Sequence, residues 1–258
     1  MKKIFRFSFA LLAIVGCLLA SPFSAVGQSG GYNWYFKKND NHTKPPLPSE
    51  FSFIEDSKGL WCGKEEDKVI YLTFDAGYEN GNIEKIMDAM QKHNAKGAFF
   101  ILENLVCRNT DLVLRMANEG HLVCNHTAKH PDMSRITDRD AFCRQLRDME
   151  KIYTEKTGLQ MAPYYRPPQG KFSKSNLEYA AEMGYHTVFW SFAYADWDNN
   201  RQMDPERAMK EILEHTHPGM VILLHPTSRT NAEVMDRLLT AWEDMGYRFG
   251  TLDELAGK

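Results

Sequence analysis

The chain has 258 residues, 43% hydrophobic and 25% charged, a globular composition with enough length for one domain and a sizeable core. Its 31 basic and 34 acidic residues leave a formal net charge of -3. That balance excludes a binder of nucleic-acid backbones, which needs a clear cationic excess.

In chain order the first element is an export signal. Lys2, Lys3 and Arg6 form a positive n-region, residues 7–20 an apolar run, and Ser24, Ala25 and Gly27 a small-residue region, with cleavage expected just before Gln28. Left uncleaved, the same stretch would be a short N-terminal membrane anchor. Ile14-Val15-Gly16-Cys17 also resembles a lipoprotein box, although the apolar run continues past Cys17. The expected location is outside the cytoplasmic membrane. Removing residues 1–27 leaves Cys62, Cys107, Cys124 and Cys143, an even number that permits disulfides or buried free thiols equally. With no CxxC pair, a thiolate zinc site is not indicated.

Residues 28–67, rich in Gly, Asn, Lys and Pro, read as an extended arm with room for one short helix. From residue 68 to 258 short apolar or β-branched runs alternate with segments of helical period. The predicted strands are 69–74, 97–102, 121–125, 163–166, 186–191, 220–224 and 247–251. The predicted helices are 82–93, 111–119, 137–157, 175–183, 204–216 and 232–245, several stopped by a glycine. Strands separated by helices pair in parallel, and repetition to this count favours a closed α/β barrel over an open sheet.

Working residues of such barrels sit where strands run into loops. Those positions hold Asp75, His126, Arg166 and His225, with Asp196 and Trp197 in the loop after the fifth strand. Each has a bland alternative. His126 and His130, four apart, would share one face of a helical turn and could grip a metal, but the spacing is common by chance. Asp75 could merely cap its loop, His225 could be a satisfied core histidine, and Arg166 could pair with a surface acid. Convergence on one barrel mouth weakens these alternatives together. A divalent ion, a carboxylate and a second imidazole are what hydrolysis of an amide or ester requires.

These residues also carry a family resemblance. Thr73-Phe74-Asp75-Ala76-Gly77, His126-Thr127-Ala128-Lys129-His130, Arg166-Pro167-Pro168-Gln169-Gly170, Asp196-Trp197 and Leu223-Leu224-His225 resemble, in order, the five motifs of the NodB-type polysaccharide deacetylases, carbohydrate esterase family four. The resemblance implies a distorted (β/α)7 barrel, the NodB homology domain. It implies Asp75 as general base, Arg166 as its partner, His225 as general acid oriented by Asp196, and His126 and His130 as ligands of a divalent cation. Zinc is the first choice of metal, with manganese, cobalt or magnesium as alternatives. Trp197 and Leu223, with Tyr78, Pro168 and Gly170, would contact substrate. Ala76 departs from the pattern, since most of the family has there an Asp that is the third metal ligand.

Thr73-Phe74-Asp75-Ala76-Gly77-Tyr78-Glu79-Asn80-Gly81 is similar to the delta-lactam-biosynthetic muramic-acid de-N-acetylases of spore formers, as are Tyr32-Asn33-Trp34 and Val188-Phe189-Trp190-Ser191. That similarity implies peptide-free peptidoglycan glycan strands as partner and the cell wall or intermembrane space of the developing spore as location. No obligate protein partner is indicated. Other acetylated glycans, a glycosidase using Asp75 and Asp196, and a non-catalytic glycan binder are the rival expectations.

Overall fold

The computed structural model describes residues 31–258, so the signal region 1–27 lies outside the described residues. Among those described, no helix is long and apolar enough to cross a membrane. The arm holds β1 (Tyr32–Asn33), α1 (Phe53–Asp56) and β2 (Gly59–Leu60). Then follow β3 (Val69–Ala76), α2 (Ile83–Lys92), β4 (Gly97–Ile101), α3 (Glu103–Arg108), α4 (Thr110–Asn118), β5 (Leu122–Asn125) and α5 (Arg139–Thr157). The second half comprises β6 (Ala162–Tyr165), β7 (Lys171–Phe172), α6 (Lys174–Glu182), β8 (His186–Val188), β9 (Phe192–Ala193), α7 (Pro205–Glu214), β10 (Met220–Leu224), α8 (Arg229–Asp244), β11 (Arg248–Phe249) and α9 (Leu252–Leu255). The helices α5 to α9 each start where a side chain takes an orphan backbone donor. Asp138 accepts from Ala141 N at 2.7 Å ahead of α5, and Gly158 ends that helix at φ 73°.

The main sheet runs β2-β8-β6-β5-β4-β3-β10-β9, with β11 flanking the start of β3. Every pairing in it is parallel, as the helical crossovers require. The sheet curls back on itself. β8 and β9 lie in one run, yet β8 pairs with β6 while β9 pairs with β10 across the ring. Ser191 N–H, in the bend between them, donates to Val221 O at 2.9 Å. The expected distorted barrel is present as a curled sheet, and its seam corrects the predicted strand 186–191: two short strands stand there, β8 ending at Val188 and β9 starting only at Phe192, each serving a different neighbour.

Side chains along a strand alternate between faces. Val69 and Tyr71 point into the barrel with Ala98, Phe100, Cys124, Tyr164, Val188 and Val221, and Leu252 of α9 joins this interior cluster. Ile70, Leu72, Phe74 and Ala76 join the layer packed under α2 and α8. Continuing the interior series past its apolar layer leads to Thr73 and Asp75 on β3, His126 after β5, Arg166 after β6, and Leu223 and His225 at the end of β10. The period of two therefore delivers the polar side chains to one mouth.

The arm packs Trp34, Phe51, Ile54 and Trp61 against Phe172, Leu177 and Phe189. β1 pairs antiparallel with β7, and Trp34 N–H donates to Gly170 O at 2.8 Å. Cys62, Cys107, Cys124 and Cys143 are all free thiols.

Candidate active site

Arg166 is the keystone of the site. It is fully buried, and its guanidinium donates to Asp75 Oδ1 at 2.9 Å, Thr73 Oγ1 at 2.8 Å, Val188 O at 3.1 Å and Phe189 O at 3.3 Å. Its Cζ lies 4.2 Å from the Phe100 ring centroid and 5.5 Å from that of Trp190. A surface ion pair would have none of these partners. Burial alone would push the Asp75 carboxyl up, but the neighbouring His126, Arg166 and His225 hold it below its ordinary value. Asp75 is an ionised carboxylate, ready to accept a proton.

His126 Nδ1 lies 2.8 Å from Arg166 O, a group that only accepts, so Nδ1 carries the hydrogen. Burial pulls the ring down to about 4, which keeps it neutral at pH 7. Its bare Nε2 then faces Asp75 Oδ2 at 3.4 Å. Two lone pairs at that separation, walled in by protein, are complementary to a cation. The His130 ring centroid is 5.0 Å from that of His126.

The helical turn expected for these two histidines is absent. They lie on an irregular loop in which Thr127 (φ 68°) and His130 (φ 58°) adopt left-handed conformations uncommon for such residues. His130 N–H donates to Thr127 Oγ1 at 3.0 Å and steadies the turn. Backbone strain at a ligand loop is a usual companion of function. Ala76 is fully buried in the apolar layer with Phe74 and Ile101. Among the described residues no group of three or more His, Cys, Asp or Glu is preformed for a metal. The donor set is thus two imidazoles beside Asp75, and the geometry around His126 fits a divalent cation.

Opposite, His225 Nδ1 lies 2.7 Å from Asp196 Oδ1. Asp196 Oδ2 accepts from His225 N at 2.7 Å and from Asn231 Nδ2 at 2.6 Å. Burial pulls the His225 ring down, but the Asp196 carboxylate more than offsets this and raises it above its ordinary value. His225 is the group that holds a proton near neutrality. Trp197 is 62% exposed and meets His225 edge-on, centroids 6.4 Å apart.

A cavity of about 500 Å³ joins the two halves, lined by Asp75, His130, Gly170, Trp197, Leu223 and His225 together with Gln169, Trp190, Ala193 and Tyr194. Two expected substrate contacts are elsewhere. Pro168 is buried and Tyr78 exposed, neither lining this cavity, and the Tyr78 hydroxyl accepts from Asn199. Sequence reasoning missed Thr73, although stepping back two from Asp75 points to it. It also missed Asn231, which bonds Asp196, His225 O and the Tyr194 hydroxyl from the first turn of α8. Gln202 was missed as well; its amide donates to Asp196 O at 3.1 Å and Asp198 O at 2.9 Å, pinning the loop that carries Trp197. Neither residue had a signal, because each reads as an ordinary surface amide.

Comparison with known proteins agrees with this geometry. Residues 63–188 match the family model described as polysaccharide deacetylase. The chain is 39% identical over 224 residues to the peptidoglycan-N-acetylmuramic acid deacetylase PdaA of Bacillus subtilis, covering 86% of this chain and 85% of that one. It is 29% identical to a peptidoglycan-N-acetylglucosamine deacetylase of Bacillus cereus over 91% of this chain and 82% of the other. The solved structure of Bacillus subtilis PdaA, a family 4 carbohydrate esterase, superposes with a TM-score of 0.84 at 38% identity, covering 88% of this chain and 97% of that one. Deacetylases of this family are in general metal-dependent. The chain belongs to the polysaccharide deacetylases of carbohydrate esterase family four.

Proposed function

We propose that this enzyme removes the N-acetyl group of N-acetylmuramic acid in peptidoglycan strands already stripped of their peptides. The observation that carries the reading is the pairing of an Arg166-braced Asp75 with an Asp196-braced His225 across one cavity. Identity to PdaA over most of both chains supports muramic acid as the sugar. Export by the N-terminal signal would place the enzyme at the wall, and the freed amine could then close on the lactyl carboxyl as the delta-lactam of spore cortex.

A divalent cation held by His126 and His130, with zinc the first choice, would polarise the acetamide carbonyl and lower the pKa of water. Asp75 takes a proton from the water whose oxygen bonds to the carbonyl carbon. His225, held protonated by Asp196, gives its Nε2 proton to the nitrogen as the C–N bond breaks, and acetate and an amine leave. Leu223 and Trp197 line the space available to the acetyl methyl.

The two groups set the pH window. The carboxyl of Asp75 lies below its ordinary value, so activity is lost as pH falls through it. The imidazole of His225 lies above its ordinary value, so activity is lost as pH rises through it. Mass spectrometry of peptide-free strands, before and after incubation, should show loss of acetyl on muramic acid, slowed by chelation. Loss confined to glucosamine would transfer the activity to that sugar, and turnover indifferent to thorough chelation would remove the cation from the mechanism.

A further inference from the structure

A second cavity, about 690 Å³, is lined by Asn33, Asp132, Ser134, Arg135, Thr137 and Lys171 among others. It draws on two of the chain segments that also line the catalytic cavity. His130 lines the first and Asp132 the second; Gly170 lines the first and Lys171 the second. Two residues of extended chain span at most about 7 Å, so along both segments the lining of one hollow lies within that distance of the lining of the other. Their chemistry differs. The catalytic cavity has apolar walls from Trp190, Trp197 and Leu223, whereas the second is faced by hydroxyls, an amide and charges.

The cations there outnumber the single acid. Asp132 is already committed: Oδ1 accepts from Ser134 N at 3.2 Å and Ser134 Oγ at 2.6 Å, and Oδ2 lies 3.5 Å from Lys171 Nζ. Arg135 is exposed and has no carboxylate partner among the described residues. A built polar hollow with a spare guanidinium, beside an amide-hydrolysing site, suits an anionic group on the same substrate.

We propose that this second cavity receives the lactyl carboxylate of the muramic acid whose acetamido group occupies the first, with Arg135 and Lys171 as its cationic partners. The inference rests on muramic acid being the substrate. Its acetamido and lactyl groups sit on neighbouring ring carbons, so the two must enter adjoining spaces. The lactyl end is a free carboxylate only after the peptide has been removed; with the peptide attached it is a neutral amide with a bulky extension. Charge-assisted bonds from a planar guanidinium would then select stripped strands.

The test is steady-state acetate release by the wild type, Arg135→Ala, Lys171→Ala and the double variant. The substrates are peptide-free strands and the same strands with their carboxyls converted to methylamides. Each single variant should raise KM on the carboxylate strands on the order of tenfold, the size of one hydrogen bond to a charged group, with kcat held within about twofold. On methylamide strands the variants should match the wild type. A KM unchanged by the double variant, or raised equally on both substrates, overturns the assignment of this cavity. Wild-type acetate release from N-acetylglucosamine oligomers with none from muramic strands overturns the substrate reading beneath it instead, so the two failures are told apart.

Discussion

Asp196→Asn tests the acid half of the site most sharply. Three donors converge on Asp196: His225 Nδ1–H at 2.7 Å on one oxygen, and His225 N–H at 2.7 Å and Asn231 Nδ2 at 2.6 Å on the other. A carboxylate accepts all three. An amide has a single acceptor oxygen, so at least one donor must face an NH2 group. The residue is 1% exposed and water cannot fill the gap. Losing one buried hydrogen bond to a charged group costs about 1.5–3 kcal/mol. At roughly 2–4 °C per kcal/mol for a domain of this size, Tm should fall by roughly 3–12 °C. The chemical effect is larger, because the charge that keeps His225 protonated disappears. A raised imidazole contributes stability and acid catalysis below its ordinary value, and both are lost as pH rises through its folded value. Without the carboxylate that loss comes earlier. The alkaline limb of kcat/KM should move to lower pH, and kcat at neutral pH should drop on the order of 10²-fold, toward the contribution of a general acid. Acetate release across a pH series with calorimetry alongside provides the check. An alkaline limb that stays at the wild-type position would show that His225 is not the proton donor, whatever happens to Tm.

The base half gives a simpler expectation. Asp75→Asn keeps an acceptor for Arg166 but not a proton acceptor, so kcat should fall about 10²–10⁴-fold with the fold retained on circular dichroism; substantial residual turnover would move the base elsewhere. Tm should fall as well, because Arg166 loses its counter-charge in a fully buried position. Ala76→Asp should tighten divalent-metal binding by adding a third protein donor, read by metal titration. An unchanged titration with a lowered Tm would mean that the new carboxylate lodges among Phe74 and Ile101 and never reaches the imidazoles.

What could be read in advance was what a period of two makes visible. Once 69–74 and 220–224 are strands, the side chains that follow them are forced to the barrel mouth, and Asp75 and His225 appear there. His126 and Arg166 follow from β5 and β6 by the same step. The seam was hidden because β8 and β9 are too short to show a pattern, and only their partners reveal that the first serves β6 and the second β10. The left-handed Thr127 and His130 were also invisible, since nothing in either side chain advertises positive φ. The six-residue α3 was missed because it has too few turns to establish a helical period. Asn231 illustrates the general limit: its value lies in reaching from α8 to a loop 35 positions earlier, a long-range relation that local spacing does not encode.

The arm sets the smallest fragment worth expressing. A truncation beginning at residue 63, where the family match starts, would retain every motif yet delete Trp34, whose ring stacks 4.5 Å from Phe189 and whose indole donates to Trp190 O at 2.9 Å. Phe172 and Phe189 would be stripped of their cover, and the Arg166–Gly170 segment would lose the backbone bond that anchors Gly170. Insolubility and inactivity of such a fragment would therefore report on a missing wall, not on faulty chemistry.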